Sequence, residues 1–139
     1  LDYDSEGLLI LTNDGDFAER IQHPRYEVPR TYLAKIRGRV TRKEIQSLIN
    51  GIELEDGPFT VEGIQEEKYN EKSQWLRVSI SEGRNRIIRR AMEALGHPVA
   101  RLIRVSVGNL ELGDLKPGQY RRLQKREVER LLRPRRKKA

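Results

Sequence analysis

Residues 1–15 read LDYDSEGLLILTNDG, a stretch that sets three acidic side chains and a hydroxyl directly before a continuous apolar run and a turn. The apolar run, residues 8–12, predicts a fully buried strand. Asp14 in the turn predicts the N-cap of a short helix over 16–22. The acidic side chains would therefore lie at the mouth of a buried strand.

The rest of the hydrophobic pattern predicts one α+β domain. Predicted strands cover 30–39, 59–69, 74–80, 99–107 and 110–112, and predicted helices cover 42–50, 85–95 and 125–132. The order of these elements is typical of helices packed against a mainly antiparallel, mixed sheet. We assign residues 1–132 to this domain and expect the strongly basic residues 133–139 to form a disordered tail.

The composition limits the class of protein. The chain has 139 residues and no cysteine, which excludes disulfide stapling, zinc fingers and thiol catalysis. Its apolar runs fall far short of the about 20 residues that span a bilayer, so we expect no membrane partner. The net charge is +7, and residues 121–139 contribute ten basic and two acidic side chains to it. A polyanion is the partner that such a charge favours.

Three segments, in order, resemble the motifs of one enzyme family. Residues 1–9 resemble G-R-L-D-x-x-T-x-G-L-L, residues 30–34 resemble K-x-Y-x-V, and residues 82–90 resemble E-G-R-x-x-Q-I-R-R. These motifs are those of the RsuA/RluB/RluE/RluF family of ribosomal RNA pseudouridine synthases. The resemblance implies the fold of that family's catalytic domain and the isomerisation of uridine to pseudouridine in ribosomal RNA. On residues 107–115 it is closest to the RluB-type members, which modify large-subunit RNA.

The resemblance aligns Asp2 with the catalytic aspartate of the family. Isomerisation must break the glycosidic C–N bond, free the base to rotate and rejoin it through carbon, so it needs a nucleophile that can also leave. A carboxylate can do both, either by attack at ribose C1′ or by assisting elimination to a glycal, and the sequence leaves both routes open. Read from the residues alone, Asp2 is better explained as a cap of the turn before Ser5 and Glu6.

The resemblance also assigns Tyr32 and Arg89 to the catalytic site. Tyr32 would stack on the flipped base and shuttle a proton at uracil C5, although a tyrosine read alone fits the core better. Arg89 and Arg90 lie at opposite edges of the apolar arc of the predicted helix, so geometry alone leaves them tied as partners of Asp2. The family segment aligns Arg89 with the arginine that pairs with the catalytic aspartate.

Four further arginines are predicted RNA contacts. Arg84 and Arg86 in the E-G-R segment fit phosphate contacts, which position RNA without reading its sequence. The other two are Arg30, which stands where the family has lysine, and Arg90. A solvated basic face is the alternative interpretation of this helix, and Ile87 stands where the family has glutamine.

No cofactor or metal is expected, because isomerisation is redox-neutral and the protein supplies the nucleophile. Two histidines far apart in sequence form no recognisable metal site. Family members carry residues before the aspartate motif that this sequence lacks, so we expect an N-terminally truncated catalytic domain. The expected partner is ribosomal RNA, bound by a monomeric, cytoplasmic protein. The alternative, from another functional class, is a noncatalytic RNA-binding or ribosome-assembly module.

Overall fold

The computed structural model describes residues 3–23 and 26–132. Asp2 and the predicted tail therefore lie outside the described residues. The helices are α1 (Gly15–Gln22), α2 (Arg42–Asn50), α3 (Ile87–Ala94) and α4 (Lys125–Leu132). The strands are β1 (Glu6–Gly7), β2 (Arg30–Arg37), β3 (Ile52–Leu54), β4 (Gly57–Phe59), β5 (Gly63–Tyr69), β6 (Ser73–Ile80), β7 (Val99–Val107) and β8 (Leu110–Glu111). Among the described helices, none is long and apolar enough to cross a membrane.

One six-stranded sheet organises the domain in the order β1-β7-β2-β6-β5, with β8 added to β7. Among the described strands, only β1 runs parallel to its neighbour, β7, and the other pairs in this sheet are antiparallel. A separate hairpin joins β3 to β4. The predicted α+β class with a mainly antiparallel, mixed sheet is confirmed.

Strand β2 lies at the centre of the sheet and carries the core on one face. Ala34 faces Leu76 on β6 and Leu102 on β7, because opposite residues of antiparallel strands project to the same side. Both Ala34 and Ile36 are fully buried. Helices α2 and α3 cover this face through Leu48, Ile88, Ala91 and Met92. A second cluster packs Phe17 and Ile21 of α1 and Leu131 of α4 against Val107 and Leu110.

Local signals set the ends of the helices. The Asp14 side chain accepts hydrogen bonds from the amides of residues 16 and 17, as predicted for the start of α1. Thr41 and Glu44 form a reciprocal capping box at the start of α2, and Gly51 ends this helix with a φ of +120°. Helix α3 begins at Ile87, two residues later than predicted, because Arg86 adopts the left-handed conformation.

The predicted buried strand over 8–12 is wrong. Leu8 is buried, but Leu9 is 58% exposed and Leu11 is 84% exposed. Strand β1 pairs with Ile103 and Arg104 of β7, and β8 occupies the same edge of β7 from Ser106 onward. Residues 8–12 therefore have no free strand edge to continue along, and they leave the sheet after Leu8. The predicted strand over 59–69 is divided as well, because Phe59 pairs with Ile52 in the separate hairpin.

Candidate active site

A small pocket of about 150 Å³ lies where β2, β7 and the residues before α3 meet. Tyr32, Arg30, Arg84 and Arg86, all predicted site residues, line it together. Glu82 and Arg104 complete the polar part of its wall. A larger groove of about 600 Å³ runs between residues 8–12 and 110–123, but it contains none of the predicted site residues and its lining is mainly apolar. The small pocket is therefore the candidate active site.

Strand β2 supplies Arg30 and Tyr32 to one face, because they are two residues apart on a strand. Tyr32 is half-buried, whereas Arg30 is only 9% exposed. The Arg30 guanidinium donates from Nη2 to the carbonyl oxygen of Ile21 at 3.1 Å. Burial lowers the pKa of Arg30, Tyr32 acts in the opposite direction, and the nearby positive charge of Arg104 lowers it further. Two guanidinium groups therefore lie close together beside the tyrosine.

Arg89 joins α3 to the segment that follows Asp2 in sequence. It donates from Nη2 to the Asp4 carbonyl at 2.9 Å and from Nη1 to the Val99 carbonyl at 3.1 Å. Its Nε lies 3.6 Å from the Asp4 carboxylate and has no hydrogen-bond acceptor among the described residues. The side chain is only 11% exposed. Helical geometry alone left Arg89 and Arg90 tied, and the family resemblance favoured Arg89. The structure places Arg89 against the acidic segment, which carries Asp4 and Glu6.

Asp4 and Glu6, the two acids of that segment within the described residues, are both paired with arginines. Arg86 donates to Asp4 Oδ1 at 2.8 Å, and this hydrogen bond, together with the charge of Arg89, lowers the pKa of the Asp4 carboxyl. Arg101 contacts both carboxylate oxygens of Glu6 at 3.0 and 2.8 Å. That bidentate contact lowers the pKa of Glu6. The segment is therefore held against α3 and β7 by charge-assisted hydrogen bonds.

Arg84 and Arg90 contact Asp56 at the turn between β3 and β4. Arg90 forms a bidentate pair with Asp56 at 2.9 and 3.0 Å, which lowers the pKa of that carboxyl. Arg84 bonds Asp56 at 3.1 Å and Glu82 at 2.5 Å. It also donates to the Pro58 carbonyl at 2.8 Å. Arg84 therefore ties the β3–β4 hairpin to the loop before α3, and Arg90 ties it to α3 itself. The sequence did not predict these contacts.

Arg104 is a pocket residue that the sequence reasoning missed. It faces Tyr32 across the β2–β7 pair, and its Nε donates to the Leu8 carbonyl at 2.9 Å. The Leu8 amide in turn donates to the Arg104 carbonyl at 2.8 Å. Its place on the same strand face as Leu102 was a usable signal, because residues two apart on a strand share a face.

His97 joins β2 and α2 to the turn after α3. Its Nδ1 lies 2.8 Å from the Arg37 carbonyl, and its Nε2 lies 3.0 Å from Glu44. No group of three metal-ligating side chains occurs within residues 3–23 and 26–132.

Comparisons of sequence and structure with known proteins agree with one another. A family model described as RNA pseudouridylate synthase matches residues 1–94, which include β2, the loop before α3 and α3 itself. A protein of Aquifex aeolicus (strain VF5) named "Uncharacterized RNA pseudouridine synthase" is 45% identical over 131 residues, covering 94% of this chain and 53% of that protein. "Ribosomal large subunit pseudouridine synthase B" of Bacillus subtilis (strain 168) is 42% identical over 133 residues, covering 94% and 54%.

A solved structure titled "Crystal structure of pseudouridylate synthase" superimposes with a TM-score of 0.82 and 33% sequence identity. The superposition covers 94% of this chain and 56% of the chain in the solved structure. The chain thus spans about half the length of the curated relatives that it matches.

Proposed function

This chain belongs to the RNA pseudouridylate synthase family, and on that premise we propose that it isomerises uridine to pseudouridine in ribosomal RNA. The observation that carries the proposal is the pocket in which Tyr32 meets several arginines beside the segment that follows Asp2. Large-subunit RNA is the proposed substrate, because it appears in the names of relatives from Bacillus subtilis and Pseudomonas aeruginosa. We further propose a monomeric, cytoplasmic protein whose residues 1–132 form one catalytic domain.

The reaction would begin with a uridine flipped out of its stack into the pocket, with its base against Tyr32. The Asp2 carboxylate would attack ribose C1′, or assist elimination to a glycal, as the C1′–N1 bond breaks and its electrons pass to the base. After the base rotates, C5 would bond to C1′ as the Asp2–C1′ bond breaks or, in the glycal route, as C2′ regains its proton. C5 then loses its proton, with Tyr32 as the shuttle, and N1 gains one. The isomerisation is balanced without an oxidant or reductant.

The arginines would divide the remaining work. Arg89 would keep Asp2 ionised, and its Nε, which has no hydrogen-bond acceptor among the described residues, supports that role. Arg30 and Arg86 would contact RNA. Arg84 and Arg90 already share Asp56, so they would contact phosphate only through the parts of their guanidinium groups that Asp56 leaves exposed. Their main contribution would be to hold the loop before α3 in place.

The proposal is tested by incubating the chain with unmodified large-subunit ribosomal RNA and mapping pseudouridine by carbodiimide-stop primer extension. We expect one new stop with the wild type, no stop with Asp2→Asn, and a normal stop with the control Asp114→Asn, which changes an exposed loop carboxylate. The Bacillus subtilis relative serves as the full-length comparison. Turnover retained by Asp2→Asn would refute the mechanism. RNA binding without product from the wild type would favour the noncatalytic module.

A further inference from the structure

Two arginines, Arg30 and Arg104, flank Tyr32 on the same face of the sheet. Arg104 lies directly opposite Tyr32 on β7, and Arg30 precedes Tyr32 by two residues on β2. Both side chains line the pocket. Arg104 is half-buried and Arg30 is almost fully buried, so their charges are partly removed from water.

These two cations differ from the neighbouring arginines of the loop before α3, of α3 and of β7. Five of those arginines form ion pairs with carboxylates, namely Arg84, Arg86, Arg89, Arg90 and Arg101. Arg30 and Arg104 form no ion pair with a carboxylate of the described residues, and their hydrogen bonds there go to the main-chain carbonyls of Ile21 and Leu8. Two adjacent, partly desolvated cations repel each other, so an anion between them would be favourable.

The donor geometry leaves room for that anion. A guanidinium carries five N–H donors, and Arg104 uses its Nε for Leu8, which leaves its terminal amino groups without an acceptor among the described residues. Gly83 adjoins the Arg30 guanidinium and adds no side chain: a Cβ there would stand 3.9 Å from the Arg30 Cζ, an ordinary contact distance. Glu82, the acid in the pocket wall, is already bound by Arg84. Planar guanidinium donors of this kind match the paired oxygens of a phosphate.

We propose that Arg30 and Arg104 form a phosphate site beside Tyr32, which binds the backbone phosphodiester attached to the flipped uridine. This inference rests on the proposed function and adds to it, because it assigns a role to Arg104. The site would anchor the nucleotide through its phosphate while Tyr32 holds the base. Neither arginine would read sequence, since phosphate contacts position RNA and base contacts specify it.

The test compares the affinities of uridine and uridine 5′-monophosphate, measured by NMR titration of the intact chain. The wild type should bind the monophosphate more tightly than uridine by about tenfold, the effect of one charge-assisted hydrogen bond. Arg104→Gln should reduce that ratio to near one, and Arg104→Lys should keep part of it because the charge remains. Arg42→Gln, which removes an exposed arginine on α2, should leave the ratio unchanged. Inorganic phosphate alone should shift the side-chain Nε–H signal of Arg104.

Several results would overturn the phosphate site. If Arg104 acts only by holding Leu8, its replacement will weaken both ligands equally and leave the ratio unaltered. Equal affinity of the wild type for both ligands, or no detectable binding of the monophosphate, also contradicts the site. If both Arg104 variants unfold, the wild type still provides a test. An Arg104 side-chain signal that does not shift when phosphate is added would then contradict the phosphate site. The pseudouridine mapping reports separately on the proposed function, so the two ideas can fail independently.

Discussion

Replacement of Gly7 by alanine should detach β1 from the sheet. Gly7 has a φ of +109°, a conformation that side chains rarely adopt. A Cβ at this position would lie 2.2 Å from the carbonyl oxygen and 2.7 Å from the nitrogen of Arg104. Both atoms belong to the backbone of β7, so no rotamer change can relieve the clash. The less costly response is for residues 6–8 to move away from β7.

The cost of Gly7→Ala is then set by the contacts that are released. Two hydrogen bonds join Leu8 to Arg104, and each contributes about 1 kcal/mol to the free energy of unfolding. Leu8 is 8% exposed, and partial exposure of its side chain would cost about 1 kcal/mol more. The total is about 3 kcal/mol, which is less than the whole stability of most domains, typically about 5–15 kcal/mol. The variant should therefore fold, with its acidic segment released and its turnover lost.

Urea denaturation measures this change, and hydrogen exchange of the Leu8 amide locates it. Gly15→Ala is the matched control: Gly15 is the first residue of α1, and a Cβ there would have no atom within 4 Å. The control should be unchanged or more stable by up to about 1 kcal/mol, since alanine is the better helix former. A Gly7→Ala variant as stable as the wild type, with the Leu8 amide still protected, would show that the close approach of β1 and β7 has been misjudged.

Two further perturbations test the ion pairs around the pocket and the core. Asp56→Asn removes the carboxylate shared by Arg84 and Arg90, so it should lower both the urea midpoint of unfolding and kcat/KM. The decrease in the midpoint should become smaller at high salt, because these groups are exposed. An equal decrease at all salt concentrations would contradict the electrostatic explanation. Burial alone would lower the pKa of His97, but its hydrogen bonds to Glu44 and to the Arg37 carbonyl raise it above 6.5, whereas Glu44 has a pKa below 4.5. The pair therefore stabilises the fold fully at about pH 5 to 6 and loses its effect as the pH rises through the raised pKa of His97. His97→Gln should cost about 1–3 kcal/mol in that window and less at alkaline pH, as urea denaturation at each pH will measure; a cost independent of pH would refute the protonated pair.

Local signals in the sequence predicted much of the fold. The caps at Asp14 and Thr41 act within three residues of their partners, so a single sequence reveals them. The strand predicted over 30–39 corresponds to β2, Arg30–Arg37, whose residues follow the period of two that a strand imposes. The strand predicted over residues 8–12 was wrong, because their apolar run does not reveal whether the edge of β7 is free to pair with them. That edge is filled by β8, about a hundred residues later in the chain.

For the site, too, the sequence predicted features that depend on short motifs but not contacts between distant residues. Family motifs pointed to Tyr32, Arg30, Arg84 and Arg86, and these four side chains line one pocket. The partner of each arginine was not predictable, because Asp56 lies 28 residues from Arg84 and 34 from Arg90. Arg104 was overlooked for a different reason: an arginine in a predicted strand suggests a solvent-facing position, yet it shares a face with Leu102, which is 4% exposed.

The parallel pairing of β1 with β7 has a consequence for the order of assembly. Leu8 and Arg104 are 96 residues apart, so their contact closes a loop that contains most of the chain. Contacts of such separation form late in folding, and a two-residue edge strand is among the first parts of a native protein to open. A nascent chain that has emerged only as far as β6 already carries Arg30 and Tyr32, but it has no strand on which to dock the segment that follows Asp2. We therefore expect the proposed active site to be complete only after the ribosome has synthesised β7.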